Sequence, residues 1–86
     1  MKFSKHAKDK LNLYGTTEEV LQEALRKPLY ICRDYEKFST VYIVELEGKI
    51  FSVVVKDNTI ITIYRTDLNR LNSRIKSGRW NCWSCN

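Results

Sequence analysis

Residues 40–65 read TVYIVELEGKIFSVVVKDNTIITIYR, and this stretch decides the fold. Valine, isoleucine, tyrosine, phenylalanine and threonine dominate it, as they do in half-buried β-strands. The polar pairs Glu47-Gly48 and Asp57-Asn58 interrupt the apolar runs and are typical of tight turns between antiparallel strands. We therefore predict a four-stranded antiparallel meander, with strands over residues 29–35, 40–46, 49–56 and 59–65.

The residues that precede the meander have a helical pattern. Ser4 can cap a helix over residues 5–14, and Gly15 can end that helix in a left-handed conformation. The run Thr16-Thr17-Glu18-Glu19 is a capping box for a second helix, which Pro28 stops. Because a sheet of this kind has to bury one face, we expect the two helices to pack on the meander.

The apolar spacing after residue 65 predicts a short third helix. Leu68, Leu71 and Ile75 would form its buried side, while its outer side would carry cations. The sequence thus predicts a single α+β domain over residues 1–78, with two N-terminal helices packed on the four-stranded antiparallel meander and a short basic C-terminal helix. Residues 79–86 are predicted to be a tail that contains tryptophan and cysteine.

The net charge of +5 is concentrated at the two ends of the chain. If the fold brings the ends together, they form one basic face of the kind that binds a phosphate backbone; otherwise the lysines only solvate the surface. Trp80 and Trp83, beside Arg79, could stack on unpaired bases or fold back on an apolar patch of the sheet. The candidate nucleic-acid-binding residues are Lys5, Lys10, Arg65, Arg70, Arg74, Arg79 and Trp80.

His6 is the one histidine of the sequence and lies among lysines. Histidine exchanges protons most readily near neutral pH, so His6 is the first candidate for acid–base catalysis, although it can equally be a packed or solvated residue. RNA cleavage also needs groups that stabilise the phosphorane charge, and Tyr64 and Arg65 are available at the end of the last predicted strand. Strand alternation puts these two side chains on opposite faces of the sheet unless the strand bulges.

Several short motifs follow one another in a distinctive order along residues 3–65. They are Ser4-Lys5-His6-Ala7, Leu11, Gly15, Glu19-Val20, Ala24-Leu25, Pro28 and Ile60-Ile61-Thr62-Ile63-Tyr64. In this order the chain resembles a family of small prokaryotic domains that is distantly similar to the RelE and BrnT toxins. The resemblance implies a metal-independent endoribonuclease without a cofactor, with His6, Tyr64 and Arg65 at the catalytic positions. It also implies RNA, free or on the ribosome, and a cognate antitoxin as partners.

Two other functions are compatible with this sequence. The domain could be a non-catalytic nucleic-acid-binding or protein-interaction module, such as a regulator from a mobile element. Alternatively, the strand over residues 29–35, if it lies outermost in the sheet, could mediate homodimerisation.

Cys32, Cys82 and Cys85 are an odd number of cysteines in a sequence without a secretory signal, so we expect no disulfide framework. Cys82 and Cys85 have the Cys-x-x-Cys spacing of half a zinc site, which Cys32 or His6 could complete, but one pair is a weak metal signal. We expect inert or adventitiously oxidised thiols and no metal. With no apolar run long enough for a signal peptide or a membrane span, we expect a soluble cytoplasmic protein without membrane contact.

Overall fold

The computed structural model describes residues 1–85. Within these residues the chain forms strands and helices in the order β1 (Lys2–Phe3), α1 (Lys5–Tyr14), α2 (Glu18–Leu25), β2 (Tyr30–Asp34), β3 (Ser39–Leu46), β4 (Lys49–Lys56), β5 (Thr59–Thr66), α3 (Leu68–Lys76) and β6 (Trp80–Ser84).

The strands form one mixed sheet, in the order β1-β5-β4-β3-β2-β6. The four predicted strands are β2 to β5, each antiparallel to the next. The predicted architecture is nevertheless wrong, because the sheet counts six strands within residues 1–85. At one edge β1 pairs in parallel with β5, and at the other β6 pairs antiparallel with β2. The strand β1 has two residues and therefore no periodicity to recognise, and β6 is a short irregular run of mixed polarity.

Side chains cap the three helices, and for α1 and α2 the capping residue lies within the stretch that the sequence indicates. The Ser4 hydroxyl accepts a hydrogen bond from the Ala7 amide at 3.0 Å and starts α1, which ends at Gly15 with φ 68°. Thr17 caps α2 in the same way. At α3, the Arg70 amide donates to Asp67 Oδ1 at 2.8 Å. Each cap satisfies backbone N–H groups that have no partner inside the helix, and so fixes where the helix begins.

The helices lie on both faces of the sheet. On the first face, α1 and α2 bury Ala7, Leu11 and Leu21 against inward side chains of β3, β4 and β5. On the second face, Leu71 of α3 packs with Val41, Ile43, Cys32 and Trp80. The prediction that all packing would occur on one face of a meander is therefore incomplete, because α3 covers part of the other face.

Most of the residues predicted as a tail belong to the sheet. Residues 80–84 form β6, whereas Asn86, the end of the predicted tail, lies outside the described residues. Pairing with β2 places Cys82 directly opposite Cys32, with their Cα atoms 4.0 Å apart, and the two form a disulfide. The expectation of inert thiols is wrong for Cys32 and Cys82, because the β2–β6 pairing could not be read from the sequence.

The pairing with β6 also changes the predicted interface between copies. Because β6 covers its outer side, β2 is not outermost, and the sheet ends at β1 and β6 among residues 1–85. Homodimerisation through residues 29–35 as an edge strand is therefore excluded. No helix in the described part of the chain is long and apolar enough to cross a membrane.

Candidate functional site

A groove of about 420 Å³ lies on the second face of the sheet, beside α3 and β6. Strand side chains form its floor, and cations from four different elements or turns surround that floor. We call this site the groove. Its floor consists of Ser39, Val41, Val54, Thr62 and Tyr64, its cations are Lys37, Lys56, Arg74 and Arg79, and Asp34 and Trp80 form the wall toward β6.

Asp34 organises the wall of the groove. Its Oδ1 accepts hydrogen bonds from the amides of Glu36 and Lys37 at 2.9 and 3.0 Å, and its Oδ2 accepts one from Trp80 Nε1 at 3.0 Å. Arg79 Nε lies 3.6 Å from Asp34 Oδ2 and 3.5 Å from Glu36 Oε2, which are ion-pair distances without a hydrogen bond. One carboxylate thus fixes the β2–β3 turn, the indole and a groove cation together.

The pKa of Asp34 is lowered from its ordinary value. Burial favours the neutral acid and raises the pKa, since the side chain is 4% exposed. Hydrogen bonds from the Lys37 amide, the Trp80 indole and the Glu36 amide, together with the charge of Arg79, more than offset this penalty. Asp34 is therefore a structural carboxylate whose lone pairs are already used, and it is unsuited to take a proton from a substrate.

Arg74 is held in place without an acidic partner. Its guanidinium carbon lies 4.8 Å from the centroid of the Trp80 ring, a cation–π arrangement. Among residues 1–85, no carboxylate forms an ion pair with Arg74, Lys37 or Lys56. Their charges are thus not neutralised within the described structure and are available to an anionic ligand.

Other arginines of α3 extend the cationic surface beyond the groove. Arg70, Arg74 and Arg79 line a shallow depression together with Ser73 and Ser77. Arg70 is exposed and lies 3.8 Å from Asp67. Arg70, Arg74 and Arg79, which the sequence singled out, are therefore neighbours on one surface.

Trp80 is packed inside the domain rather than presented to a ligand. The residue is 3% exposed, its ring packs in the core with Leu71, and Arg74 lies over one face. Of the two sequence interpretations, the structure shows the one in which Trp80 folds onto an apolar patch. Its part in the groove is to position Arg74 through the ring and Asp34 through the indole N–H.

The two basic ends of the chain do not form one face. The strand β1 lies at one edge of the sheet and β6 at the other, and the five strand spacings between them span about 24 Å. Lys5 and Lys10 are on α1, over the first face, whereas the groove is on the second. His6 is exposed on α1, and within the described residues its side chain has no hydrogen bond or ion pair.

The three predicted catalytic residues are not brought together. A bulge occurs between β4 and β5 at Val54/Val55, but it lies before residues 64 and 65 and leaves their alternation intact. Tyr64 lines the groove on the second face. Arg65 lies over the Phe51 ring on the first face, 5.9 Å from its centroid, and its amide donates to the Tyr14 hydroxyl at 3.3 Å. Of this set, Tyr64 alone lines the groove within the described chain.

Sequence reasoning did not single out Lys37, Lys56, Ser39 or Asp34. The alternation of β4 could have indicated Lys56, because it shares a face with Val54. Lys37 and Asp34 belong to the β2–β3 connection, where an Asp two to three residues before its amide partners is a known turn signature. No local pattern marks Ser39, whose role depends on which strands surround it.

The cysteines do not form a metal site in the described structure. Cys82 is bonded to Cys32, so it is not a thiolate ligand, and Cys85 is an exposed free thiol. Residues 1–85 contain no group of three or more histidine, cysteine or acidic side chains that could hold a metal ion. The weak alternative of a metal at Cys82 and Cys85 has no support from this geometry.

Comparisons of the chain with family models, with curated proteins and with solved structures find no match. The resemblance to the RelE and BrnT toxins therefore rests on the motifs of residues 3–65 alone.

Proposed function

We propose that the protein binds RNA, with the phosphate backbone held at the groove. The observation that carries this proposal is a set of cations without acidic partners among the described residues, Lys37, Lys56 and Arg74, gathered around one concave surface. Arg74 is the one of these three cations that stacks on a buried ring within the described residues. Arginine matches phosphate geometry with its planar fork, so Arg74 is the central contact in this proposal.

Binding of this kind should be steeply dependent on salt. Contact of Lys37, Lys56 and Arg74 with three phosphates predicts a slope of about −2 for the logarithm of the association constant against the logarithm of salt concentration, the value for single strands. Replacing Arg74 by glutamine should weaken binding of every RNA sequence alike. It should also make the slope shallower by the contribution of one phosphate contact. Fluorescence anisotropy with labelled RNA at several salt concentrations measures both quantities.

Arg26→Gln is the matched control for Arg74→Gln. It removes the same charge from the chain, but Arg26 is an exposed residue after α2 that pairs with Glu23 at 3.7 Å, and it lies away from the groove. Equal losses of affinity in the two variants would mean that only net charge matters, and would contradict a role for the groove. Affinity that does not fall with salt would contradict phosphate contacts altogether.

A second candidate function is metal-independent endonucleolytic cleavage of the bound RNA, as the resemblance to RelE and BrnT toxins implies. The observation in its favour is that Tyr64 lines the same groove as Arg74. In such a reaction the Tyr64 hydroxyl would exchange a proton with the ribose or the leaving oxygen, while Arg74 would stabilise the charge of the phosphorane. A cognate antitoxin would then be a partner of the protein.

Cleavage can be tested by incubating purified protein with RNA, with and without ribosomes, in the presence of a metal chelator. If Tyr64 transfers a proton, Tyr64→Phe should lower the cleavage rate about 100-fold or more, while leaving RNA affinity nearly unchanged. His6→Ala should cleave at the wild-type rate, since His6 is on the other face of the sheet. Loss of cleavage in His6→Ala but not in Tyr64→Phe would assign the chemistry to His6 instead.

Binding without any cleavage would favour the non-catalytic module, a regulator that keeps RNA contacts and lacks the chemistry. A cytoplasmic location belongs to either form of the proposal, since RNA is the ligand. A disulfide such as Cys32–Cys82 is rare in that compartment, so RNA binding should be measured for both the oxidised and the reduced protein.

A further inference from the structure

The floor of the groove carries a buried hydroxyl without a partner. Ser39 is 3% exposed, and no group in residues 1–85 forms a hydrogen bond with its Oγ. Buried polar groups are nearly always hydrogen-bonded, because leaving one unpaired costs free energy. Since Ser39 lines the groove and a serine hydroxyl has three staggered positions, Oγ can turn toward a ligand that lies on the floor.

The surroundings of Ser39 are only partly apolar, because Asp34 is its register partner on β2. Val41 and Val54 are its neighbours on the floor, with the Tyr64 ring beyond them. The volume of about 420 Å³ is within the range of sites that hold small organic groups. A floor of valines and hydroxyl-bearing side chains, next to unpaired cations, fits a flat heterocycle attached to a phosphate.

We propose that the groove takes one unpaired nucleobase of a single-stranded RNA. The base lies on the partly exposed Val54 and Tyr64 with its polar edge toward Ser39 Oγ, while Arg74 holds an adjacent phosphate. A base within a duplex cannot enter, because its edges are paired and its faces are stacked. This inference rests on the proposed RNA binding and names the class of RNA: single strands, with contact to a base as well as to the backbone.

The experiment compares three probes of equal length by fluorescence anisotropy: a short oligouridylate, an RNA duplex and an abasic ribose-phosphate oligomer. Each is titrated with the wild-type protein, Ser39→Ala and Ser52→Ala. Ser52 is the matched control, because its Oγ is also buried without a partner in the described chain, on the same face of the sheet, but Ser52 does not line the groove. Thermal unfolding of each free protein is measured alongside.

We expect the single strand to bind about tenfold more tightly than the duplex or the abasic oligomer. Ser39→Ala should weaken single-strand binding about fivefold, the share of one hydrogen bond, and leave binding of the abasic oligomer unchanged. Ser52→Ala should bind all three probes as the wild type does. Neither variant should melt at a lower temperature than the wild type, because each removes a hydroxyl without a partner.

Three results would overturn the inference. Equal affinity for all three probes would contradict the contact with a base. It would not contradict binding of the backbone, so the proposed function would stand. Equal losses in Ser39→Ala and Ser52→Ala would show a general effect on the sheet rather than a contact in the groove. Absence of binding to any probe would overturn the proposed function as well.

Discussion

Replacing Asp34 by alanine is expected to lower the free energy of unfolding by about 3–4 kcal/mol. The substitution leaves the Trp80 indole N–H buried without its acceptor, and a buried unpaired donor is costly. It also removes both turn hydrogen bonds at Glu36 and Lys37 and one of the two carboxylates beside Arg79. Urea unfolding followed by circular dichroism measures the loss.

Asp67→Ala is the control for Asp34→Ala, because it makes the same substitution at an exposed aspartate. Asp67 also accepts a backbone hydrogen bond, at the start of α3, but its side chain is 58% exposed. We expect a loss of about 1 kcal/mol, as for other N-cap residues. If Asp34→Ala costs no more than Asp67→Ala, the wall of the groove does not depend on a buried carboxylate.

The contribution of Asp34 should also disappear in acid. Its pKa is lower in the folded protein than in the unfolded chain, so folding favours the charged form. The stabilisation is therefore complete above the carboxyl pKa of the unfolded chain, about 3.9, and is lost as the pH falls through the lower folded pKa. The stability difference between the wild type and Asp34→Asn should be constant from neutral pH to about pH 5 and shrink below pH 4.

The groove should lose RNA affinity when Asp34 is replaced, even where the variant remains folded. Lys37 is on the turn that Asp34 caps, and Arg74 stacks on the indole that Asp34 holds. Both cations would then become less ordered before binding, and ordering them would cost affinity. Positioning of the cations and stability of the domain thus depend on the same buried carboxylate.

The predictable elements of this fold are those whose signals are local. Alternation and turns located β2 to β5, and capping residues located α1 and α2, because each pattern involves neighbours along the chain. The strands β1 and β6 were not predicted, because they are defined by pairing with distant residues: Phe3 pairs with Ile60, and Cys82 with Cys32. The same missed pairing of β6 explains the missed disulfide.

The candidate site was predictable only in part, for a related reason. Arg70, Arg74 and Arg79 were identified by their charge and their helical or terminal position, and the structure brings them together. Alternation could place Lys56 on the face of Val54, but the sequence could not indicate that the arginines near α3 meet Lys37 and Lys56 there, since the two lysines come from different hairpins. Nor could it separate His6 from them, because that separation depends on which face of the sheet each helix covers.

Removing the Cys32–Cys82 disulfide is expected to lower the free energy of unfolding by about 4 kcal/mol, because it closes a loop of 50 residues in the unfolded chain. A domain of 86 residues typically has a total stability of about 4–13 kcal/mol, so a large part of it depends on this one bond. The melting temperature should fall by roughly 15–30 °C. Circular dichroism on the oxidised protein, the reduced protein and the Cys32→Ala, Cys82→Ala double variant measures the effect.

Cys85→Ser is the control for the disulfide, because it removes an exposed free thiol and should leave the melting temperature unchanged. If the reduced protein melts within about 5 °C of the oxidised one, the disulfide does not form in solution or does not constrain the unfolded chain.

Without the disulfide, unfolding should begin at β6, which is held to the sheet through β2 and packs on α3. Within residues 1–85, no strand pairs with its outer side. Hydrogen exchange in the reduced protein should therefore lose protection first at the β2–β6 pairs, while β3 to β5 stay protected. Because β6 carries Trp80, early opening there would release Arg74 from its stacking partner and weaken RNA binding before the domain unfolds. Uniform loss of protection across the sheet would instead mean that β6 unfolds together with the rest of the core.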